Sequence, residues 1–258
     1  MLDGAMVHYE ALGRGRPILF LHGWVGSWRT WVGAMQVAST SFRAYALDLY
    51  GYGDTAHDPL KYSIEQQAGL LDKFLNEMGI GKIAIVGHGL GALVGLAFIE
   101  QYPKSVDRIM AVNCPLGRED INPRLRTAAL ADLIDWLAVR SPESALALSD
   151  ASKTDPLAVT ASLNSLQTDN LLGIVHATGT PCLFVTGQND PAILASNPDA
   201  ASTLPTMVHQ IVLEETGHFP MIEDPVKFNR LLTDFLALDS GATPKELQLK
   251  EEWKRRVR

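Results

Sequence analysis

Apolar residues fall in short runs separated by stretches of helical spacing. Ile18–Leu21 reads as a buried strand, and Arg43–Leu47, Ile83–Val86, Arg108–Asn113, Pro181–Thr186 and Val208–Leu213 read as further strands. Continuous apolar strands suit a sheet covered on both faces, because neither side of such a strand meets water. Between them, Ser63–Met78 sets Ile64, Ala68, Leu71, Phe74, Leu75 and Met78 near one helical face. Ser63 is its N-cap and Gly79 the residue just past its end. Leu90–Gln101 is an apolar helix stopped by Pro103, and Val226–Leu238 is a closing helix. This alternation predicts an α/β fold, a mostly parallel sheet with helices on both faces.

The rhythm breaks between about Pro115 and Thr180. That stretch holds helical runs, Leu125–Val139 and Pro156–Leu166, and no clear strand. It predicts a helical cap inserted over the carboxyl edge of a single domain, residues 1–238. Two ordinary crossover helices with long loops would be the plainer reading, and the length argues against it. Pro191–Leu204 reads as loop or short helix. From Asp239 the chain turns polar, with six basic and three acidic residues in 245–258, and reads as a solvated, basic tail.

Composition narrows the function. The chain has 258 residues, 47% apolar and 20% charged, as a single large α/β domain would. A net charge of -7 argues against a nucleic-acid partner, which needs a basic surface. Met1–Glu10 lacks the apolar core of a secretory leader, and the longest apolar stretches are broken by glycine and too short to span a membrane. A cytoplasmic location is the expectation. Cys114 and Cys182 sit in no CxxC or Cys/His cluster, so a zinc site is not expected and a disulfide is not suggested; no cofactor is expected either. Cys114 ends a strand, and nothing beside it would lower a thiol pKa; it is expected to be a small apolar wall rather than a nucleophile.

The chemistry centres on Gly87-His88-Gly89-Leu90-Gly91-Ala92, between a strand and a helix. These residues fit G-x-G-x-x-A, the dinucleotide fingerprint. The context is poor, because strands precede it and the next strand ends at Asn113-Cys114 with no acid for a ribose. They also fit G-x-S-x-G, with glycine in the serine slot. His22-Gly23-Trp24 closes the first strand. Asp48-Leu49-Tyr50-Gly51-Tyr52-Gly53-Asp54-Thr55 closes the second. Gly187-Gln188-Asn189-Asp190-Pro191 and Gly217-His218-Phe219-Pro220, with Glu223-Asp224-Pro225 after it, follow later strands.

In this order the motifs resemble the α/β-hydrolase superfamily, esterase- or lipase-like and capped, over Met6 to Leu238. The resemblance implies an eight-stranded sheet and a nucleophile elbow at Gly89. It implies Asp190 as the acid, His218 as the base, and the backbone N–H groups of Trp24 and Leu90 as the oxyanion hole. His22 and His88 read as structural; His8, His57, His176 and His209 lie in no motif. Glycine has no atom with which to attack an acyl carbon, so no acyl-enzyme can form at position 89.

Three readings follow. The chain is an esterase-like relative whose Asp190–His218 dyad still works over the oxyanion hole. Or it is a pseudoenzyme, a module or sensor that binds a small, largely apolar molecule. Or a serine was replaced in a working esterase. Dinucleotide binding is the reading from another class, and oligomeric state stays open.

Overall fold

The computed structural model describes residues 1–2, 4–166, 171–194 and 204–247. Strands β1 (Tyr9–Gly13), β2 (Arg16–Leu21), β3 (Phe42–Leu47), β4 (Ile83–His88), β5 (Val106–Val112), β6 (Cys182–Gly187) and β7 (Val208–Leu213) form one sheet. Their spatial order is β1-β3-β2-β4-β5-β6-β7. Only β1 runs antiparallel, paired with β3 from Tyr9 opposite Leu47 to Gly13 opposite Arg43.

The sheet therefore has seven strands among the described residues, not the eight that the resemblance implies. Ahead of β1, Leu2 and Ala5 bridge each other, and among the described residues no further strand pairs with this edge. The strand missed in the sequence is β1 itself. Its residues Tyr9, Glu10 and Leu12 are exposed, so it carries no continuous apolar run.

Every residue of β4 and of β6 is buried. Helices cover both faces. Helix α1 (Val32–Ala38) packs with the closing helix Pro225–Ala237 on one; α2 (Ile64–Glu77) and α3 (Leu90–Gln101) pack together on the other. In α2 the Ser63 hydroxyl accepts from the Gln66 amide at 3.3 Å, the expected N-cap. Gly79 follows at φ 67°, the left-handed turn that ends a helix.

Between β5 and β6 lie α4 (Arg124–Thr127), α5 (Leu130–Leu137), α6 (Pro142–Ala147), α7 (Pro156–Asn164) and α8 (Leu171–Thr178). The single helix read over Leu125–Val139 is in fact α4 and α5. Ala128 and Ala129 are extended at ψ 150° and 154°. The break sends the two pieces to different partners, α4 to α7 and α5 to the turn Ala151–Lys153. Parts of two sequence expectations, residues 195–203 of the loop after Pro191 and 248–258 of the tail, lie outside the described residues.

The connections position the site. From β2 the chain crosses to β3 on one side; β4 then returns to the other side of β2. At such a reversal the loops leave in opposite directions and open a crevice at the carboxyl ends of the two strands. The crevice is edged by His22-Gly23-Trp24 after β2 and by Gly89 after β4.

Candidate active site

Gly89 joins β4 directly to α3 at φ 48°, ψ −108°. A side chain there is strained by about 1–3 kcal/mol, and glycine is not. The turn is fixed from both flanks. The Gly89 amide donates to Val112 O at 2.9 Å, and the Gly91 amide donates to His22 O at 3.0 Å. The α3 backbone therefore lies against the end of β2.

Asp190 and His218 come together from separate loops. His218 Nδ1 lies 3.0 Å from each oxygen of the Asp190 carboxylate, and both side chains are buried. A carboxylate only accepts, so Nδ1 carries a proton, and whenever the ring is neutral Nε2 is its acceptor. Nε2 is buried with no partner among the described residues. The Asp190 carboxylate also accepts from the amides of Ala192 at 2.8 Å and Ile193 at 3.2 Å. The Asp190 loop is tied to the segment after β5 by an Ile121–Ile193 bridge and an Asn122-to-Ala192 backbone bond of 2.8 Å.

Around Gly89, the Trp24 indole is fully buried and donates from Nε1 to Ser162 Oγ of α7 at 3.1 Å. A Cβ on residue 89 would lie 3.1 Å from its Cε3 and Cζ3. Nothing in the motif signals this contact, since it concerns only the Trp24 backbone. Among the described residues no acceptor takes the amide of Trp24 or Leu90.

His22 is structural, as read. Its Nδ1 lies 2.8 Å from Gly23 O, and its Nε2 accepts from the Leu49 amide at 3.0 Å. Asp48 is structural too: its buried carboxylate takes the Trp28 amide at 2.7 Å and His8 Nδ1 at 2.9 Å. Cys114 and Cys182 are buried and free, and burial pushes both thiols up, Cys182 to about 12. Neither is a ready nucleophile at neutral pH.

His88 packs edge-on against His218, with ring centroids 4.6 Å apart, and neither of its nitrogens has a partner among the described residues. Burial, then the neighbouring imidazole of His218, holds its pKa well below the ordinary histidine range. Burial also lowers that of His22, against the pull of Asp48. The unfolded chain protonates these rings near pH 6.5 while the folded one does not, so their contribution is complete above that pH and is lost as pH falls. We expect each ring to steepen the acid-side loss of stability by up to about 1.4 kcal/mol per pH unit below about pH 6.5. His88→Met removes the titrating ring and should flatten that slope in urea unfolding series run from neutral to mildly acid pH. An unchanged slope would show that His88 does not titrate against folding.

Comparison with known proteins agrees with this architecture. The family model described as "Alpha/beta hydrolase family" matches residues 18–231. An uncharacterised Mycobacterium tuberculosis protein is 32% identical over 122 residues, 47% of this chain and 36% of that protein. The match thus spans little more than a third of the mycobacterial relative's length. The pimeloyl-[acyl-carrier protein] methyl ester esterase of Nitrosomonas europaea is 26% identical over 252 residues, covering 87% of this chain and 97% of that one. Among solved structures, a serine-to-glycine mutant of the N-acyl homoserine lactonase AidH, complexed with N-hexanoyl homoserine lactone, superposes with a TM-score of 0.78 at 23% identity. It covers 91% of this chain and 94% of its own. Among the described residues no helix is long and apolar enough to cross a membrane. With the family model spanning most of its length, this chain belongs to the alpha/beta hydrolase family.

Proposed function

We propose that this chain is an esterase-like member of the family that works without an acyl-enzyme. His218, oriented by Asp190, draws a proton from a water molecule as that water attacks the carbonyl carbon of a small acyl ester. The single observation behind this is the His218 ring, with Nδ1 3.0 Å from both Asp190 oxygens and Nε2 unengaged. The structural histidine nearby, His22, has both nitrogens engaged. A ring with one nitrogen held by a carboxylate and the other bare has the arrangement of a general base.

In this reading the water oxygen bonds to the carbonyl carbon and its proton moves to His218 Nε2. The amides of Trp24 and Leu90 take the charge that develops on the carbonyl oxygen. The tetrahedral intermediate collapses, the C–O bond to the alkoxide breaks, and the alkoxide takes the proton from Nε2. The products are an acid and an alcohol. Helices α4–α8 serve as the cap of one domain ending near Leu238, and the cleft beneath holds the ligand. A small, largely apolar acyl ester or lactone is the ligand class that suits it. The lactonase neighbour accommodates such a molecule in its serine-to-glycine form.

A second reading, binding without turnover, is favoured by one observation. The Trp24 indole partly fills the place that a side chain at 89 would take. One experiment separates the two. Purified protein should hydrolyse short activated esters about 10²- to 10⁴-fold faster than buffer, the usual contribution of a positioned base, and His218→Ala should remove that excess. Activity indifferent to His218→Ala defeats the proposal. Saturable ester binding with no turnover favours the second reading.

A further inference from the structure

Asn113 sits just past β5 and is fully buried. Its φ of 44° is left-handed, a region that asparagine enters more readily than most residues. Its Nδ2 donates to Gly217 O at 3.1 Å and to His218 O at 2.9 Å. Its Oδ1 accepts from the Gly187 amide at 2.8 Å, and its own amide donates to Val185 O at 2.8 Å. One side chain therefore joins the end of the strand that leads to Asp190 with the loop that carries His218.

Glu223 holds the same loop from the other side. Its carboxylate accepts from the Gly217 amide at 2.6 Å and the Phe219 amide at 2.9 Å. The backbone around His218 is thus gripped at two carbonyls by an amide and at two N–H groups by a carboxylate. The four bonds leave its peptide planes no low-energy rotation, because any turn strands a buried polar group.

We propose that Asn113 is a positioning residue that sets the His218 ring against Asp190, with Glu223 as its counterpart on the opposite side of the loop. This rests on the reading of Asp190–His218 as the working dyad. Position 113 needs a group that donates twice through one atom and accepts through another. Aspartate has the shape but presents oxygens to two carbonyl oxygens. Alanine has neither donor nor acceptor, though it leaves room for water to serve the freed groups.

The test is nuclear magnetic resonance on histidine-labelled protein, reading the Nδ1–H proton of His218. In the parent that proton should resonate far downfield and exchange slowly with water, as a buried proton shared with a carboxylate does. Asp190→Ala should abolish the signal. Asn113→Asp should move it upfield and speed its exchange by about tenfold or more, since the loop opens more readily. Asn113→Ala is the second variant should the aspartate form fail to fold, and it should do the same. A merely structural role would lower the melting temperature and leave the resonance of the folded protein where it was. If Asp190→Ala removes the signal while a folded Asn113 variant leaves its position and exchange unchanged, the positioning role is overturned and the dyad stands. If Asp190→Ala leaves the signal unchanged, the dyad reading itself fails.

Discussion

Gly89→Ser is expected to turn the protein into a serine esterase that a fluorophosphonate probe labels at residue 89, while the glycine form stays unlabelled. The turn already has the backbone geometry that presents a side chain, at φ 48°, ψ −108°. Asp190 already holds His218 with Nε2 unengaged. Loss of one member of such a triad commonly costs on the order of 10⁴- to 10⁶-fold in rate, so restoring it should raise ester turnover by about 10³-fold or more. The structure adds one condition. The new Cβ would stand 3.1 Å from the Trp24 ring, closer than side chains settle, and the indole must yield by a few tenths of an ångström.

Trp24 is buried and tied to Ser162, so that shift is resisted. Gly89→Ser with Trp24→Phe keeps the backbone amide at position 24, relieves the contact and should be faster than the single variant. Both should be less stable than the parent, by about 1–3 kcal/mol for the strained backbone alone. If both fold and neither labels nor gains esterase rate over several acyl lengths, the site differs from a serine hydrolase by more than its nucleophile, and binding without turnover is the better reading.

Much of this was visible in the sequence, for a physical reason. A strand buried on both faces is apolar at every position, so Ile18–Leu21 and Ile83–Val86 stand out, and helix Leu90–Gln101 follows the second of them. Strand β1 escaped because three of its five residues are exposed and none is buried; β7, the other edge, keeps Val208, Ile211 and Leu213 buried and stands out. Helix α1 escaped because only Ala34, Met35 and Ala38 of its residues are buried, with exposed Gln36 and Val37 between them. The break between α4 and α5 has no local marker in Thr127-Ala128-Ala129; its partners lie elsewhere in the chain.

The site divides in the same way. Asp190 and His218 were legible because each follows a strand in a recognisable local pattern. Asn113 was visible as a residue, but its contacts reach 104 and 105 positions along the chain. No local spacing encodes such a bond. The Trp24 side chain is a similar case. The motif marks its backbone, and only the fold brings the indole over Gly89.

Gly91→Ala is expected to destabilise the protein more than Gly89→Ala, although Gly91 has no chemical role. Gly91 is the second residue of α3, and a Cβ there would overlap Leu21 O and lie 2.6 Å from the carbonyl carbon and Cβ of Leu21. Those are mostly backbone atoms of the central strand β2, which pairs on both sides with β3 and β4. The strand cannot retreat without breaking a ladder. Nor can α3 back away, since α2 packs against it and β5 lies beneath it. Moving the helix would also break the 3.0 Å bond from the Gly91 amide to His22 O, on the turn that positions Trp24.

Overpacking of this kind usually costs about 1–3 kcal/mol and more where backbone meets backbone, so a loss of about 3 kcal/mol or above is expected. In a domain of this size that lowers the melting temperature by roughly 6–12 °C. Gly33 in α1 and Gly69 in α2 supply the control, because a Cβ on either meets nothing within 4 Å. Alanine at those positions should stabilise by about 0.5–1 kcal/mol, the helix preference alone. Thermal and urea unfolding of the four alanine variants, at 33, 69, 89 and 91, would rank them. Should Gly91→Ala prove milder than Gly89→Ala, the contact between α3 and β2 is not what holds the turn. The left-handed backbone at 89 would then be the feature that fixes it, and glycine there would serve the fold.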